Sequence, residues 1–360
     1  MRVGLVIYGS LETVTGGFLY DRRVVEYLRS CGDTVEVISI PWRTYGRHLL
    51  DNVFGGTRRS LAEARVDVLL QDELNHPSLF HVNGGLRPAN YPIVSIVHHL
   101  RCSELRPSWQ NRLYATIERR YLLTVDGFVF NSHTTRGTVE ALIGPEKPSV
   151  VAYPGRNGDE PILSPERVQA RARQPGPLKI LMVGNLIPRK NVHTLLTALT
   201  RLSHDDWLLE VVGSLETDAE YVREVKAQIE DQGLSDRVKL LGTLTGEELA
   251  VRYAESQLLA APSSYEGFGM VYLEGKSYGL PALASTTGAA REVVSHDLDG
   301  FLINPSNPTE MAEHISVLHR DRGKLAAMSV AALNRFRSYP TWEASASSIR
   351  IFLQDLVGQR

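Results

Sequence analysis

Cysteine is scarce. Cys31 and Cys102 are the only two in 360 residues, so no disulfide framework holds the chain and a reducing compartment suits it. An excess of one charge is also lacking: 39 Lys and Arg stand against 41 Asp and Glu, a net −2. That balance gives no support for general nucleic-acid binding. No apolar run approaches the roughly 18 residues that a membrane span needs. The start, Met1 to Tyr8, is too short and too quickly polar for a signal peptide. Low-complexity tracts and fixed-period repeats are missing as well. These absences lead to the expectation of a cytoplasmic protein, able to lie against the inner face of a membrane but not to cross it.

What is present is an ordinary globular composition, 43% hydrophobic and 22% charged, over a length that accommodates two domains. Short apolar runs read as strands at Val3–Tyr8, Val35–Ile40, Val66–Leu70, Ile93–Val97, Gly127–Phe130 and Val150–Ala152, with helical spacing between them. Pro154 to Pro177, rich in proline and glycine, breaks the rhythm and reads as a linker. Alternation restarts at Leu178–Val183 and continues through strands at Leu208–Val212, Val238–Leu241, Leu258–Ala261, Pro281–Ala284 and Gly300–Ile303. Strands alternating with helices imply parallel sheets covered on both faces. The expected architecture is therefore α/β, two doubly wound Rossmann-like domains with ligands at the carboxyl ends of the strands. The boundaries fall at 1–155, a linker 156–177, a second domain 178–338 and a closing helix 339–360.

One stretch organises the rest, Ala261-Pro262-Ser263-Ser264-Tyr265-Glu266-Gly267-Phe268-Gly269-Met270-Val271-Tyr272-Leu273-Glu274-Gly275. Pro262 and Ser263 end a buried strand, and helical patterning begins near Gly269. Glu266 then lies in the turn and Glu274 two turns down the helix. Eight residues of helix span roughly 12 Å, so the carboxylates cannot share a proton but can hold opposite ends of an extended ligand. Between them, the amides of Gly267, Phe268 and Gly269 sit at a helix N-terminus, where an anion is favoured. Hydroxyls at both ends with phosphate between them describe a nucleotide sugar. The plainer alternative is a capped helix with Glu274 on a solvated face.

The segment resembles the Glu-x7-Glu signature of the retaining GT-B glycosyltransferases of family 4 (glycosyltransferase group 1), including the Pro-Ser before it and the Glu-Gly-Phe-Gly inside it. The likeness runs along essentially the whole chain and is sparser in the first half. It implies a GT-B fold, with donor binding in the second domain and acceptor binding in the first. It also implies transfer of a sugar from a UDP- or GDP-linked donor to a glycan, lipid or small-molecule acceptor. Gly184 to Asn191 resembles the family's Gly-x-Leu-x-x-x-Lys loop, in which Arg189 and Lys190 would grip the diphosphate. Gly16 and Gly17 match the glycine loop after the first strand, where paired glycines allow close approach and φ > 0. His98, with His99 as alternate, matches the histidine beside the reaction centre, and orientation by hydrogen bonding suits it better than general-base work. Glu266 would bind sugar hydroxyls and Glu274 the ribose, while Gly213 with Ser214 and Leu244 with Thr245 sit where the family holds the base. Thr286-Thr287-Gly288 and Glu292 match the following loop only in part. No metal or other cofactor is expected, since Arg189 and Lys190 supply charge at the diphosphate. The basic stretch Arg112 to Arg120 resembles the part of the first domain through which some relatives touch membranes, but the plainer and preferred reading is a helix that packs Leu113, Ile117 and Tyr121 on its own sheet while its arginines face water. The rival readings are another GT-B enzyme, such as an epimerase or a phosphorylase-like enzyme, and a non-catalytic nucleotide-sugar-binding subunit.

Overall fold

Valine, isoleucine and leucine dominate the runs that form strands, and both faces of each sheet are buried, as parallel sheets require. The computed structural model describes residues 1–13, 15–53, 55–87, 90–156, 158 and 162–359. The chain divides into two compact units, Met1–Asn157 with Pro340–Arg360, and Gly158–Tyr339.

In the first unit, β1 (Arg2–Tyr8), β2 (Thr34–Ile40), β3 (Val68–Asp72), β4 (Ile93–Val97), β5 (Gly127–Phe130) and β6 (Ser149–Val151) form a parallel sheet in the order 2-1-3-4-5-6. Alternate residues of β1 serve opposite faces. Val3, Leu5 and Ile7 pack with Val24 and Leu28 of helix Gly16–Ser30, whereas Val6 and Tyr8 join a second cluster with Tyr121 and Val139. The last helix, Trp342–Gly358, belongs to this unit, with Ile349, Leu353 and Leu356 inside the first of those clusters. Thr341 caps it by accepting from the Ala344 amide, and Arg350 pairs with Asp33 at 2.6 Å.

The second unit repeats the plan. Here β7 (Leu178–Val183), β8 (Trp207–Val212), β9 (Val238–Gly242), β10 (Leu258–Ala261), β11 (Ala282–Ser285) and β12 (Gly300–Ile303) run parallel in the order 12-11-10-7-8-9.

Two expectations shift. The third strand starts at Val68 rather than Val66, because Val3 pairs with Val68, and it runs on to deliver Asp72 at its carboxyl end. The stretch read as a linker holds a helix, Pro165–Ala172, within the second unit, while Asn157, Asp159, Glu160 and Pro161 lie outside the described residues. Ser164 caps this helix, Pro165 occupies its first turn, and Val168 and Ala172 are buried. The prolines that suggest a break from composition are in part a helix start.

Candidate functional site

In the second sheet the strand order reverses between β7 and β10, and doubly wound sheets bind ligands outside the carboxyl ends at such a point. The loops leaving these two strands carry Gly184 to Asn191 and Pro262 to Gly269. Pro188–Lys190 forms a single 3-10 turn, and Asn191 adopts a left-handed conformation that lets its side-chain amide reach the carbonyls of Pro262 and Pro305 at 3.1 and 2.6 Å. The Ser264 amide donates to the Arg189 carbonyl at 2.8 Å, tying one loop to the other. Gly184 has a φ of +148°, and a Cβ added there would lie 2.9 Å from Cε of Lys190, so a side chain at this position would displace that lysine.

These loops bring the sequence's charged candidates together. Lys190 Nζ lies 2.5 Å from Glu266 Oε1, and Ser263 Oγ donates to the same oxygen at 2.6 Å. Arg189 is 3.6 Å from Glu266 Oε2 and donates to the Tyr265 carbonyl at 2.9 Å. Burial alone would raise the Glu266 pKa, but Lys190 and Arg189 outweigh it and hold it at about 2. Glu266 is thus a fixed anion although only 7% exposed. The partly matching loop after β11 supports it: the Ala289 amide donates to the Glu266 carbonyl at 2.9 Å, and Thr287 Oγ1 to the Ser264 carbonyl at 2.7 Å.

Gly269 is the left-handed N-cap of helix Met270–Ser277, with no side-chain cap, and Phe268 is buried with its ring 6.0 Å from that of Tyr339. Glu274 is the fifth residue of this helix, so it lies about one turn in and not two, because Gly267 to Gly269 stay in the loop. It accepts from the Tyr253 hydroxyl at 2.9 Å. Burial raises its pKa, against the hydrogen bond from Tyr253 and the charge of Lys190. The sequence contains one further arrangement that bears on metals, the triplet Asp297-Leu298-Asp299. Both of its carboxylates face lysines, Lys324 at 2.6 Å and the fully buried Lys276 at 3.1 Å.

In the first unit, His98 follows β4 and is buried. Its Nε2 lies 3.3 Å from Asp21 Oδ1, its amide donates to Glu73 Oε2 at 2.9 Å, and its carbonyl accepts from Asn131 at 2.8 Å. Burial alone would lower the imidazole pKa. Asp21, Asp72 and Glu73 outweigh that and raise it, which makes His98 a cation at neutral pH. Burial pushes the Asp72 and Glu73 carboxyls up. Atoms of Asp21, Asp72 and His98 that can ligate a metal all lie within 4.8 Å of one another, so the three groups form one buried cluster beside β4. His99 is half-buried and contacts Glu104 at 3.0 Å.

Gly16 and Gly17 open helix Gly16–Ser30 and are not among the residues with positive φ. What Gly17 supplies is space: a Cβ there would sit 3.2 Å from the His98 ring. The sequence reading missed Asp21, Asp72 and Glu73, along with Ser263 and Tyr253. An acid on the apolar face of the first helix, and two more at the end of an apolar strand, were the available signals.

The chain matches the family described as "Glycosyl transferases group 1" over residues 165–335 and "Glycosyltransferase Family 4" over residues 15–160. It is 26% identical over 242 residues to a GDP-mannose-dependent alpha-(1-6)-phosphatidylinositol monomannoside mannosyltransferase of Mycobacterium tuberculosis, a match covering 64% of this chain and 62% of that protein. It is 30% identical over 175 residues to a D-inositol 3-phosphate glycosyltransferase of Xylanimonas cellulosilytica, covering 49% and 42%. The match thus spans less than two thirds of the length of these relatives. Among solved structures, sucrose-phosphate synthase from Thermosynechococcus elongatus superposes with a TM-score of 0.83 at 20% identity, covering 100% of both chains. Anabaena HepE in complex with UDP and glucose gives 0.78 at 21%, covering 99% of this chain and 100% of that one. The fold is GT-B, and the chain belongs to the family 4, group 1 glycosyltransferases.

Proposed function

We propose that this chain is a retaining, metal-independent glycosyltransferase that moves a sugar from a nucleoside-diphosphate sugar to an acceptor hydroxyl. The observation that carries the reading is the convergence of Arg189, Lys190 and Glu266 at the crossover of the second sheet. In the reaction, the bond between the anomeric carbon and the diphosphate oxygen breaks, and its electron pair leaves with the phosphate. The acceptor oxygen bonds to the same face, and its proton passes to the departing phosphate. Lys190 and Arg189 neutralise the developing diphosphate, which is the charge a cation must meet in the transition state. Glu266, ionised throughout, accepts from sugar hydroxyls, and Glu274 from the ribose. His98 already carries its proton, so it serves as a hydrogen-bond donor and not as a base.

The donor is UDP- or GDP-linked. One relative is named as GDP-mannose-dependent, and one structural neighbour holds UDP and glucose. The first unit takes the acceptor and the second the donor. The protein works in the cytoplasm, with a peripheral membrane contact through helix Ser108–Leu122. Among the described residues, no helix is long and apolar enough to cross a membrane.

A thermal-shift screen of UDP, GDP and their sugars, with and without EDTA, tests the donor site. A ligand at 100 times its dissociation constant stabilises by about 2.7 kcal/mol. EDTA leaves the shift and turnover unchanged, Lys190→Ala abolishes both, and nucleoside diphosphate is released quickly only when acceptor is present. A Lys190→Ala protein that kept the full nucleotide shift would remove that residue from the diphosphate.

A further inference from the structure

The sheet of the first unit also reverses, between β1 and β3, and a cavity of about 300 Å³ opens there. Tyr8 ends β1, Glu73 and Leu74 follow β3, and His99 follows β4, so three strand ends border it. His98 adjoins it directly, through its peptide link to His99 and its hydrogen bond to Glu73.

The lining combines open aromatic surface with groups that both donate and accept. Trp42 is 60% exposed although its ring lies edge-on to Tyr8 at 5.7 Å. The Tyr45 hydroxyl meets His76 Nε2 at 3.0 Å, and His48 stacks on Tyr8 at 3.9 Å. Hydroxyl and imidazole groups of this kind match an alcohol, which also both donates and accepts. The electron-rich face of an indole favours weakly positive C–H groups, such as those on one side of a sugar ring.

Charge argues against an anionic occupant. Five formally charged side chains line it: Arg101, Arg43, which is bound to Asp51 at 2.6 Å, and the carboxyls of Glu73, Glu104 and Glu118, so carboxyls outnumber arginines. Arg101 lies over the Tyr45 and Tyr114 rings at 5.1 and 4.8 Å, and its buried Nε has no hydrogen-bond partner among the described residues. Arg101 thus lines the cavity as a hydrogen-bond donor held over two rings. The volume is at the small end for ligand pockets, which suits one or two rings and not an extended acyl chain.

We propose that this cavity holds the acceptor, and that the part of the acceptor it holds is a neutral pyranoside stacked on Trp42 and hydrogen-bonded by Arg101. The inference rests on the reading of the chain as a glycosyltransferase. The test is saturation-transfer NMR on the full chain in the presence of UDP and GDP, using the methyl glycosides of glucose, galactose and mannose, n-octanol and methyl phosphate as probes. At least one glycoside takes up saturation strongly at its ring C–H protons, and the signal falls at least fivefold in Trp42→Ala and in Arg101→Met. Trp42→Ala keeps the nucleotide thermal shift, since Trp42 is in the other unit from Lys190. Saturation of octanol or methyl phosphate alone, silence from every glycoside, or glycoside signals that ignore both substitutions would each overturn the inference. If wild-type protein shows no nucleotide shift, the donor reading fails instead, and the two failures are told apart.

Discussion

Glu266 and His98 are buried ionisable groups that keep their charges because opposite charges outweigh the cost of leaving water. They act in opposite pH ranges. Glu266 has a lowered pKa, so its contribution to stability is present above about pH 4.5 and is lost as pH falls towards 2. His98 has a raised pKa, from 6.5 to about 10, so its contribution is complete below pH 6.5 and is lost as pH rises through 10. Across that window the folded chain holds one proton that the unfolded chain has released, a slope of up to about 1.4 kcal/mol per pH unit. Lys276, lowered to about 8 by burial against the pull of Asp299, contributes with the opposite sign above pH 8. The comparison is therefore made between two proteins and not read from one. Asp21→Asn keeps the shape but removes the nearest carboxylate from the imidazole. Urea unfolding of the first unit between pH 7 and 8.5 should lose stability more steeply in wild type than in this variant, by about 1 kcal/mol per pH unit. Parallel pH dependences would mean that His98 is not held as a cation by Asp21.

At the scale of the element, helix Ser108–Leu122 shows how far amphipathic patterning reads through. Ile117 and Tyr121 are buried as their spacing suggests, but Leu113 is 51% exposed, together with Trp109 at 66% and Leu105 at 72%. Arg112, Arg119 and Arg120 are exposed on the same helix. Apolar side chains in water beside arginines fit an anionic lipid surface, where each basic residue contributes about 1 kcal/mol. Co-sedimentation with vesicles containing one-third anionic lipid should capture the wild type, and Trp109→Glu with Leu113→Glu should weaken capture at least tenfold. Wild-type protein that stays in the supernatant would end the proposed membrane contact. Most strands were legible because each is a short apolar run, and Arg189, Lys190 and Glu266 were legible because each lies in the loop after such a run. The turns of helix at Tyr45–Leu49, His76–Leu79 and Val82–Gly85 were not, since four or five residues cannot display a 3.6-residue period. Asp21, Asp72 and Glu73 escaped notice for another reason. Their meaning comes from His98, which lies far along the chain, and local spacing carries no record of that meeting.

At the scale of the whole molecule, the chain leaves its first unit at Asn157 and re-enters it at Pro340. The return is structural and not decorative: Ile349 and Leu353 are fully buried beside Leu5, Val24 and Leu28, and Arg350 anchors Asp33 at 2.6 Å. A sheet face covered by helices Gly16–Ser30 and Trp342–Gly358 is completed only after the whole second unit has been made, so folding of the first unit awaits residues that follow Tyr339. The second unit has its own core, in which Ile180 and Met182 of β7 pack with Leu195 and Trp207, and it draws on no terminal segment. Leu353→Ala should therefore act on one unit selectively. Removing a buried leucine side chain costs about 2–5 kcal/mol, and a domain of this size loses roughly 2–4 °C per kcal/mol. In calorimetry the transition of the first unit should move down by that amount, while the transition that UDP or GDP raises stays in place. Leu195→Ala should do the reverse. Equal displacement of both transitions by either substitution would show that the two units melt as one body, and the terminal helix would then stabilise the molecule as a whole.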